Sequence, residues 1–260
     1  MQGQLGTKGS LRDTALMSRA VRRLLLYAHY NASGRVEPYV IRTLTEFASA
    51  GYEIVVCSTS EIRAPETKLL RGVVKEIVQV PNIGYDFFAW KMGLESVKSS
   101  LAEYDRLVLL NSSVVGPVLP MGYFLRVIES REGDIIGATM SNQLVPHIQS
   151  YFQYVKTPTS TAFHSFWDGV VPIPERWEVI NRYELKMMGH YIAGGLTVGA
   201  FYQSNGSYNP TIRTPYRLLM HGFPFVKVQL LRENPRNINL WFMQQIARRT
   251  LRPAGLSGFH

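Results

Sequence analysis

Four clusters of hydrogen-bonding residues follow four apolar runs in the first half of the chain. They are His29, Tyr30 and Asn31; Ser58, Thr59 and Ser60; Asn82, Gly84, Tyr85 and Asp86; and Asn111, Ser112 and Ser113. Hydroxyls, amides and a carboxylate in such positions suit the gripping of a base, a ribose or a pyrophosphate. One polar cluster is ordinary loop chemistry, whereas four in succession point to a nucleotide-type crevice, because open parallel sheets bind ligands outside the carboxyl ends of their strands. Each residue also has a structural alternative. His29, Tyr30, Ser58 and Thr59 can serve as polar strand caps, and Asp86 can cap a helix. Asn82 and Gly84 shape a turn in which glycine lets the backbone approach a ligand.

The elements that must position these clusters can be read from hydrophobic spacing. Leu24 to His29 is a buried strand, a short continuous apolar run. Pro38 opens a helix whose Val40, Ile41, Leu44 and Phe47 repeat at helical spacing, and Gly51 closes it. Glu53 to Thr59 is a second strand, Val73 to Val80 a third, Leu107 to Leu110 a fourth and Asp134 to Thr139 a fifth, with a helix from Phe87 to Val97. This alternation predicts an α/β fold with a mostly parallel, Rossmann-type sheet flanked by helices. The second half is aromatic-rich and less regular, with a strand expected near Ala193 to Phe201. The expected organisation is a leader over residues 1–20 and a single domain over 21–250.

Composition narrows the function classes. Hydrophobic residues make up 46% of the 260 residues and charged residues 18%, a globular balance. The lone Cys57, inside an apolar run, reads as a core residue of a protein in a reducing compartment. No apolar stretch reaches bilayer length and no signal peptide is apparent, so a cytoplasmic protein is expected. The net charge is +9 and uneven: residues 1–50 carry seven Lys/Arg against three acids, 217–260 seven against one, and 51–216 fourteen against fifteen. A basic surface suits an acidic ligand such as a nucleoside diphosphate, or simply aids solubility. No basic-aromatic motif marks a nucleic-acid platform. Dinucleotide, P-loop and nucleophile-elbow motifs are absent, and the six histidines show no metal-ligand spacing.

One combination of segments is more specific. Leu25-Leu26-Tyr27-Ala28-His29-Tyr30 comes first, followed by Asn82-x-Gly84-Tyr85-Asp86-Phe87-x-Ala89-Trp90-Lys91-x-Gly93-Leu94. Leu109-Leu110-Asn111-Ser112-Ser113-x-x-Gly116-Pro117, Gly137-Ala138-Thr139 and His147-Ile148-Gln149-Ser150-Tyr151-Phe152 come next, then Tyr183-Glu184 and Pro224-Phe225-Val226-Lys227. Together these resemble the rhamnan synthesis protein F family over roughly residues 22–235. The resemblance implies a GT-A type, sugar-nucleotide-dependent transferase, often of rhamnose, that extends cell-surface glycans on the cytoplasmic face. Its donor-binding half would span about 21–140 and its acceptor half about 141–250. dTDP-L-rhamnose is the first expectation for the donor, and an oligosaccharide or lipid-linked glycan for the acceptor.

Roles follow from that resemblance. Sugar transfer must neutralise the leaving pyrophosphate and remove a proton from the acceptor hydroxyl. Glu184 is the expected base of an inverting reaction, its alternative being a solvated helix-face charge. Asp86 would bind ribose or donor-sugar hydroxyls. His29, Tyr30, Ser58, Thr59, Asn82, Gly84, Tyr85, Asn111, Ser112 and Ser113 would line the donor. His147, Gln149 and Ser150 fall on the acceptor side, with His147 equally readable as a core histidine. The family usually has Asn-Asp-Ser where this chain has Asn111-Ser112-Ser113, and that acid can hold a divalent metal on the pyrophosphate. The expectation is therefore no metal, with Lys227 or Lys91 neutralising phosphate; Mg²⁺ or Mn²⁺ on another acid is the alternative. Leu240 to Met243, followed by Arg248, Arg249 and Arg252, would rest peripherally on an anionic leaflet or else pack as an ordinary helix. A non-catalytic nucleotide- or glycan-binding relative is the competing reading of the whole chain.

Overall fold

The computed structural model describes residues 19–245. The expected leader, apart from Arg19 and Ala20, lies outside the described residues, as do 246–250 of the expected domain and the basic Arg248, Arg249 and Arg252.

The chain runs β1 (Arg23–His29), α1 (Pro38–Ser49), β2 (Tyr52–Ser58), α2 (Ala64–Arg71), β3 (Glu76–Gln79), α3 (Tyr85–Ser96), β4 (Arg106–Asn111), β5 (Val114–Val115), α4 (Met121–Ser130) and β6 (Ile135–Ser141). It continues through β7 (His147–Ile148), β8 (Phe152–Val155), α5 (Thr161–Asp168), α6 (Arg176–Val179), α7 (Leu185–Ala193), β9 (Val198–Gln203), α8 (Pro210–Arg213), α9 (Pro215–Met220), β10 (Val226–Lys227) and α10 (Val228–Arg232). A π-helical turn, Ile180–Glu184, joins α6 to α7 in one continuous rod.

Strands β3, β2, β1 and β4 lie side by side in parallel. Beyond β4 the sheet turns mixed: β8 is antiparallel to both β4 and β6, β7 is antiparallel to β6, and β9 pairs with β6 in parallel. The five strands expected in the first half fall at β1, β2, β3, β4 and β6, while the short β5 has no counterpart among them. The strand expected near Ala193 to Phe201 is β9, and it does not begin at Ala193, because α7 continues through that residue and the strand starts only at Val198, beyond Gly194 and Gly195.

Alternating side chains of β1 and β4 build the two halves of the core. Leu24, Leu26, Leu107 and Leu109 pack with Phe87, Trp90, Phe163, Trp167 and Tyr191 from the helices of one face. Leu25, Tyr27, Val108 and Leu110 pack with Val40, Leu44, Phe47, Phe124 and Ile128 on the other. Fully burying one such side chain contributes about 1.5–3 kcal/mol, so the strands are held chiefly by what covers them. Helix α3 is tied to the sheet in a second way. The buried indole Nε1 of Trp90 donates to the carbonyls of Leu26 and Leu110 at 3.2 and 3.3 Å. Gly93 lets the helix approach closely, since a Cβ there would lie 2.4 Å from Cys57 Sγ. Cys57 itself is fully buried. Among the described residues no helix is long and apolar enough to cross a membrane.

Candidate active site

The carboxyl ends of β1, β2 and β4 open into a cleft of about 1240 Å³. Its far wall comes from the β6–β7 loop, the rod that begins at Arg176, and β10 with α10.

Asn111 organises the centre. Its amide is 2% exposed, at the last residue of β4. Nδ2 donates to Asp86 Oδ2 at 2.6 Å, and Oδ1 accepts from both the backbone N–H and the hydroxyl of Ser113, at 3.0 and 2.5 Å. The Ser113 hydroxyl in turn accepts from Lys227 Nζ at 2.8 Å. A continuous polar chain thus runs from Asp86 through Asn111 and Ser113 to Lys227. Lys227 reaches it because β10 pairs with β5 in a register that sets Lys227 opposite Val114, next to Ser113. Its ammonium also lies 4.6 Å above the Tyr151 ring, a cation–π contact.

Asp86 is placed by Gly84. At φ +83° Gly84 precedes α3 in the left-handed region, and a Cβ there would sit 2.6 Å from that of Phe88. Asp86 falls in the first turn of α3, where the helix dipole favours a negative charge. Burial nevertheless pushes its carboxyl from 3.8 up to about 6; Glu184 adds to the rise, while Lys227, Asn111 and Arg176 oppose it. Burial likewise holds the Lys227 ammonium below the usual lysine value, against Glu184 and Asp86.

Glu184 closes the π turn on the far wall. Its Oε1 accepts from the backbone N–H and the hydroxyl of Ser150 at 3.0 and 3.1 Å. π turns often mark functional positions, since the extra residue re-aims the side chains around it.

The structure brings Tyr30, Thr59, Asn82, Gly84, Tyr85, Asp86, Ser112, Ser113, His147, Gln149, Glu184 and Lys227 to the cleft lining. Asn111 and Ser150 stand behind it as supports. Three expected donor contacts are elsewhere. His29 is 2% exposed, and its Nδ1 pairs with Ser58 Oγ at 3.1 Å beneath the cleft floor. Burial lowers the His29 pKa. Ser58 is fully buried and donates to the carbonyl of Ser60. Strand alternation explains both, because consecutive residues at a strand end point to opposite faces. Lys91 is ion-paired with Glu95 and Asp168 at 2.8 and 3.2 Å. Five residues beyond Asp86, it lies about 140° round the helix and away from the cleft.

The lining also holds residues that the sequence did not single out: Arg35, Leu144, Arg176, Trp177 and Arg232. Arg232 belongs to the basic C-terminal region, which was the one available signal; nothing in the spacing of the others marks them.

Ser112 offers a neutral hydroxyl, a weaker ligand for a divalent metal than a carboxylate. Ser112 Oγ accepts the Tyr30 N–H at 3.2 Å, Asp86 is engaged by Asn111, and Glu184 is engaged by Ser150. Among the described residues no group of three or more His, Cys, Asp or Glu is arranged to hold a metal ion.

Comparison with known proteins adds a family. The model for rhamnan synthesis protein F matches residues 54–257. The virulence protein VirA of Vibrio anguillarum is 28% identical over 195 residues, which cover 61% of this chain and 62% of VirA. Protein y4gN of Sinorhizobium fredii is 22% identical over 179 residues, covering 66% of this chain and 46% of y4gN. The chain therefore spans about three fifths of VirA and under half of y4gN. Among solved structures, a glycosyltransferase involved in glycosylation of the major capsid of PBCV-1 is similar with a TM-score of 0.46 at 10% identity, over 80% of this chain and 94% of that one.

Proposed function

Since the chain belongs to the rhamnan synthesis protein F family, a family of polysaccharide synthesis, we propose that it is a glycosyltransferase that moves a sugar from a nucleoside-diphosphate donor onto a growing surface glycan. The observation that carries this is the single cleft in which the Asp86–Asn111–Ser113–Lys227 chain meets the Glu184 carboxylate.

In the proposed reaction the donor diphosphate lies against Ser113 and Lys227. The ammonium stabilises negative charge as it develops on the leaving group, a contribution strengthened where water is excluded. Arg176 acts electrostatically on both Asp86 and Lys227 and supplies a second cation on the far wall. Glu184 is the base. Both Ser150 hydrogen bonds fall on Oε1, which leaves the proton transfer to Oε2. The acceptor oxygen bonds to C1 of the donor sugar as its proton passes to Glu184. The bond from C1 to the phosphate oxygen breaks, and its electron pair leaves with the diphosphate. Attack from the face opposite the leaving group inverts C1. With Lys227 supplying positive charge at the phosphates, the reaction is proposed to be metal-independent. Asp86 binds ribose or sugar hydroxyls, while His147 and Gln149 sit on the acceptor side. dTDP-L-rhamnose is the proposed donor and an oligosaccharide or lipid-linked glycan the acceptor. The exposed Trp241 and Phe242 support peripheral contact with an anionic bilayer.

Calorimetric titration with dTDP, UDP and GDP, first in EDTA and then with Mn²⁺, tests this. Binding of dTDP in EDTA is the expected result. Binding only with Mn²⁺ would overturn metal independence, and no binding under either condition would favour a non-catalytic relative that lost its acid at Ser112.

A further inference from the structure

Two large apolar side chains on the far wall of the cleft have no packing role that accounts for their exposure. Trp177 is 58% exposed in the first turn of the rod, and Leu144 is 65% exposed in the β6–β7 loop. Both line the same cleft. Leu144 is also held at φ +70°, a conformation that a branched side chain rarely adopts. Such strain persists only where the surroundings impose it, and it concentrates at ligand-binding positions. Pro174 and Ile180 extend the apolar strip beside Trp177.

The position of this strip relative to Glu184 identifies its occupant. Arg176, Trp177, Ile180 and Glu184 share one side of the rod, all lining the cleft. Glu184 is half-buried, whereas Trp177 is at the exposed end. At 1.5 Å per residue, Trp177 lies about 10 Å from Glu184 along the axis. A glycan whose attacking hydroxyl meets Glu184 and which leaves along the rod passes Trp177 with a ring beyond its terminal one. Pyranose rings present C–H-lined faces that suit a flat aromatic and a branched aliphatic side chain. A nucleobase would instead find its hydrogen-bonding partners at Asn31, Thr59 and Asn82 on the opposite wall.

Resting on the glycosyltransferase reading above, we propose that Trp177 and Leu144 form an acceptor subsite for the penultimate sugar ring of the growing glycan. The subsite makes the protein an extender of existing chains: a monosaccharide acceptor reaches Glu184 but leaves the apolar strip uncovered.

The test compares methyl α-L-rhamnoside with linear di- and trirhamnosides as acceptors for the full chain and its Trp177→Ala, Trp177→Tyr and Leu144→Gly variants. Glycine at φ +70° removes the Leu144 side chain while relieving strain, so that variant folds. Wild type is expected to show an acceptor KM about 10-fold lower for the disaccharide than for the monosaccharide, the size of one good aromatic contact. Trp177→Ala and Leu144→Gly should abolish most of that difference, Trp177→Tyr should restore it, and donor KM should stay unchanged. If wild type prefers the longer acceptors and both truncations keep the preference, the subsite is overturned while the transferase reading stands. A rise in donor KM with unchanged acceptor KM would assign the strip to the nucleotide instead. Failure of wild type to turn over any rhamnoside would sink the rhamnosyl reading on which the subsite depends.

Discussion

The two walls of the cleft are built by different means. The first is a row of strand ends: β1, β2 and β4 stop at the same level, and α3 starts beside them. The second has no such regularity. It is a loop bearing Leu144, a helix interrupted by a π turn, and the ribbon strand β10. The first wall can hold a flat, charged ligand by many small polar contacts anchored in a packed sheet. The second aims Leu144, Glu184 and Lys227 by local irregularities of the backbone. Tasks should divide accordingly, with loss of binding following damage to the first wall and loss of rate following damage to the second.

Glu184→Gln gives the sharpest break. It keeps the shape and removes the proposed base, so kcat should fall by about 10²–10⁴, the usual contribution of a positioned general base. Donor-nucleotide affinity measured by calorimetry should barely move; a parallel loss of affinity would erase the distinction between the walls. Lys227→Ala comes second, because Lys227 bridges both. A hydrogen bond to a charged group is worth about 1.5–3 kcal/mol, so dTDP affinity should drop by about 10- to 100-fold. Unchanged affinity would remove Lys227 from the phosphates.

Gly84→Ala probes the first wall through its backbone. A Cβ at φ +83° facing Phe88 should cost about 1–3 kcal/mol of stability. At this chain length that is a fall in Tm of a few degrees, roughly 2–4 °C per kcal/mol, which scanning calorimetry resolves. The smallest effects are those of pH. Asp86 has a folded pKa raised from 3.8 to about 6, so the native state binds more protons between those values. Its contribution to stability therefore falls as pH rises from about 4 to 6. His29 has a lowered folded pKa, so its contribution is present above about 6.5 and is lost as pH falls below that value. Denaturation midpoints for Asp86→Asn against wild type across pH 4–7 should diverge progressively in the variant's favour. A constant offset would mean that Asp86 titrates normally.

The same contrast explains what could be read in advance. The parallel strands announce themselves as short apolar runs, and the polar residues after them are cleft residues because sheet geometry leaves them no other place. The exceptions, His29 and Ser58, fail on pleat parity, which a run of continuous apolar residues does not reveal. Lys91 fails on helix phase, since its neighbours in sequence fall on another side of α3. On the second wall Glu184 was visible only through resemblance, because a π turn leaves no periodic trace. Leu144, Arg176 and Trp177 were not visible at all. Their place in the cleft depends on how loops cross the sheet, a long-range outcome that local spacing does not encode.

The Lys227–Ser113 hydrogen bond joins residues 114 positions apart. Its consequence is one of timing. In a chain made from its N-terminus, Asp86, Asn111 and Ser113 all exist before Lys227 does. Until β10 pairs with β5, the growing chain holds the acid side of the cleft without the ammonium that opposes it. Closing so long a loop is also an entropic cost that early local contacts do not meet. If Lys227 neutralises phosphate as proposed, the cleft gains that charge late in assembly, and a half-made chain would have the parallel sheet without the means to stabilise a leaving diphosphate.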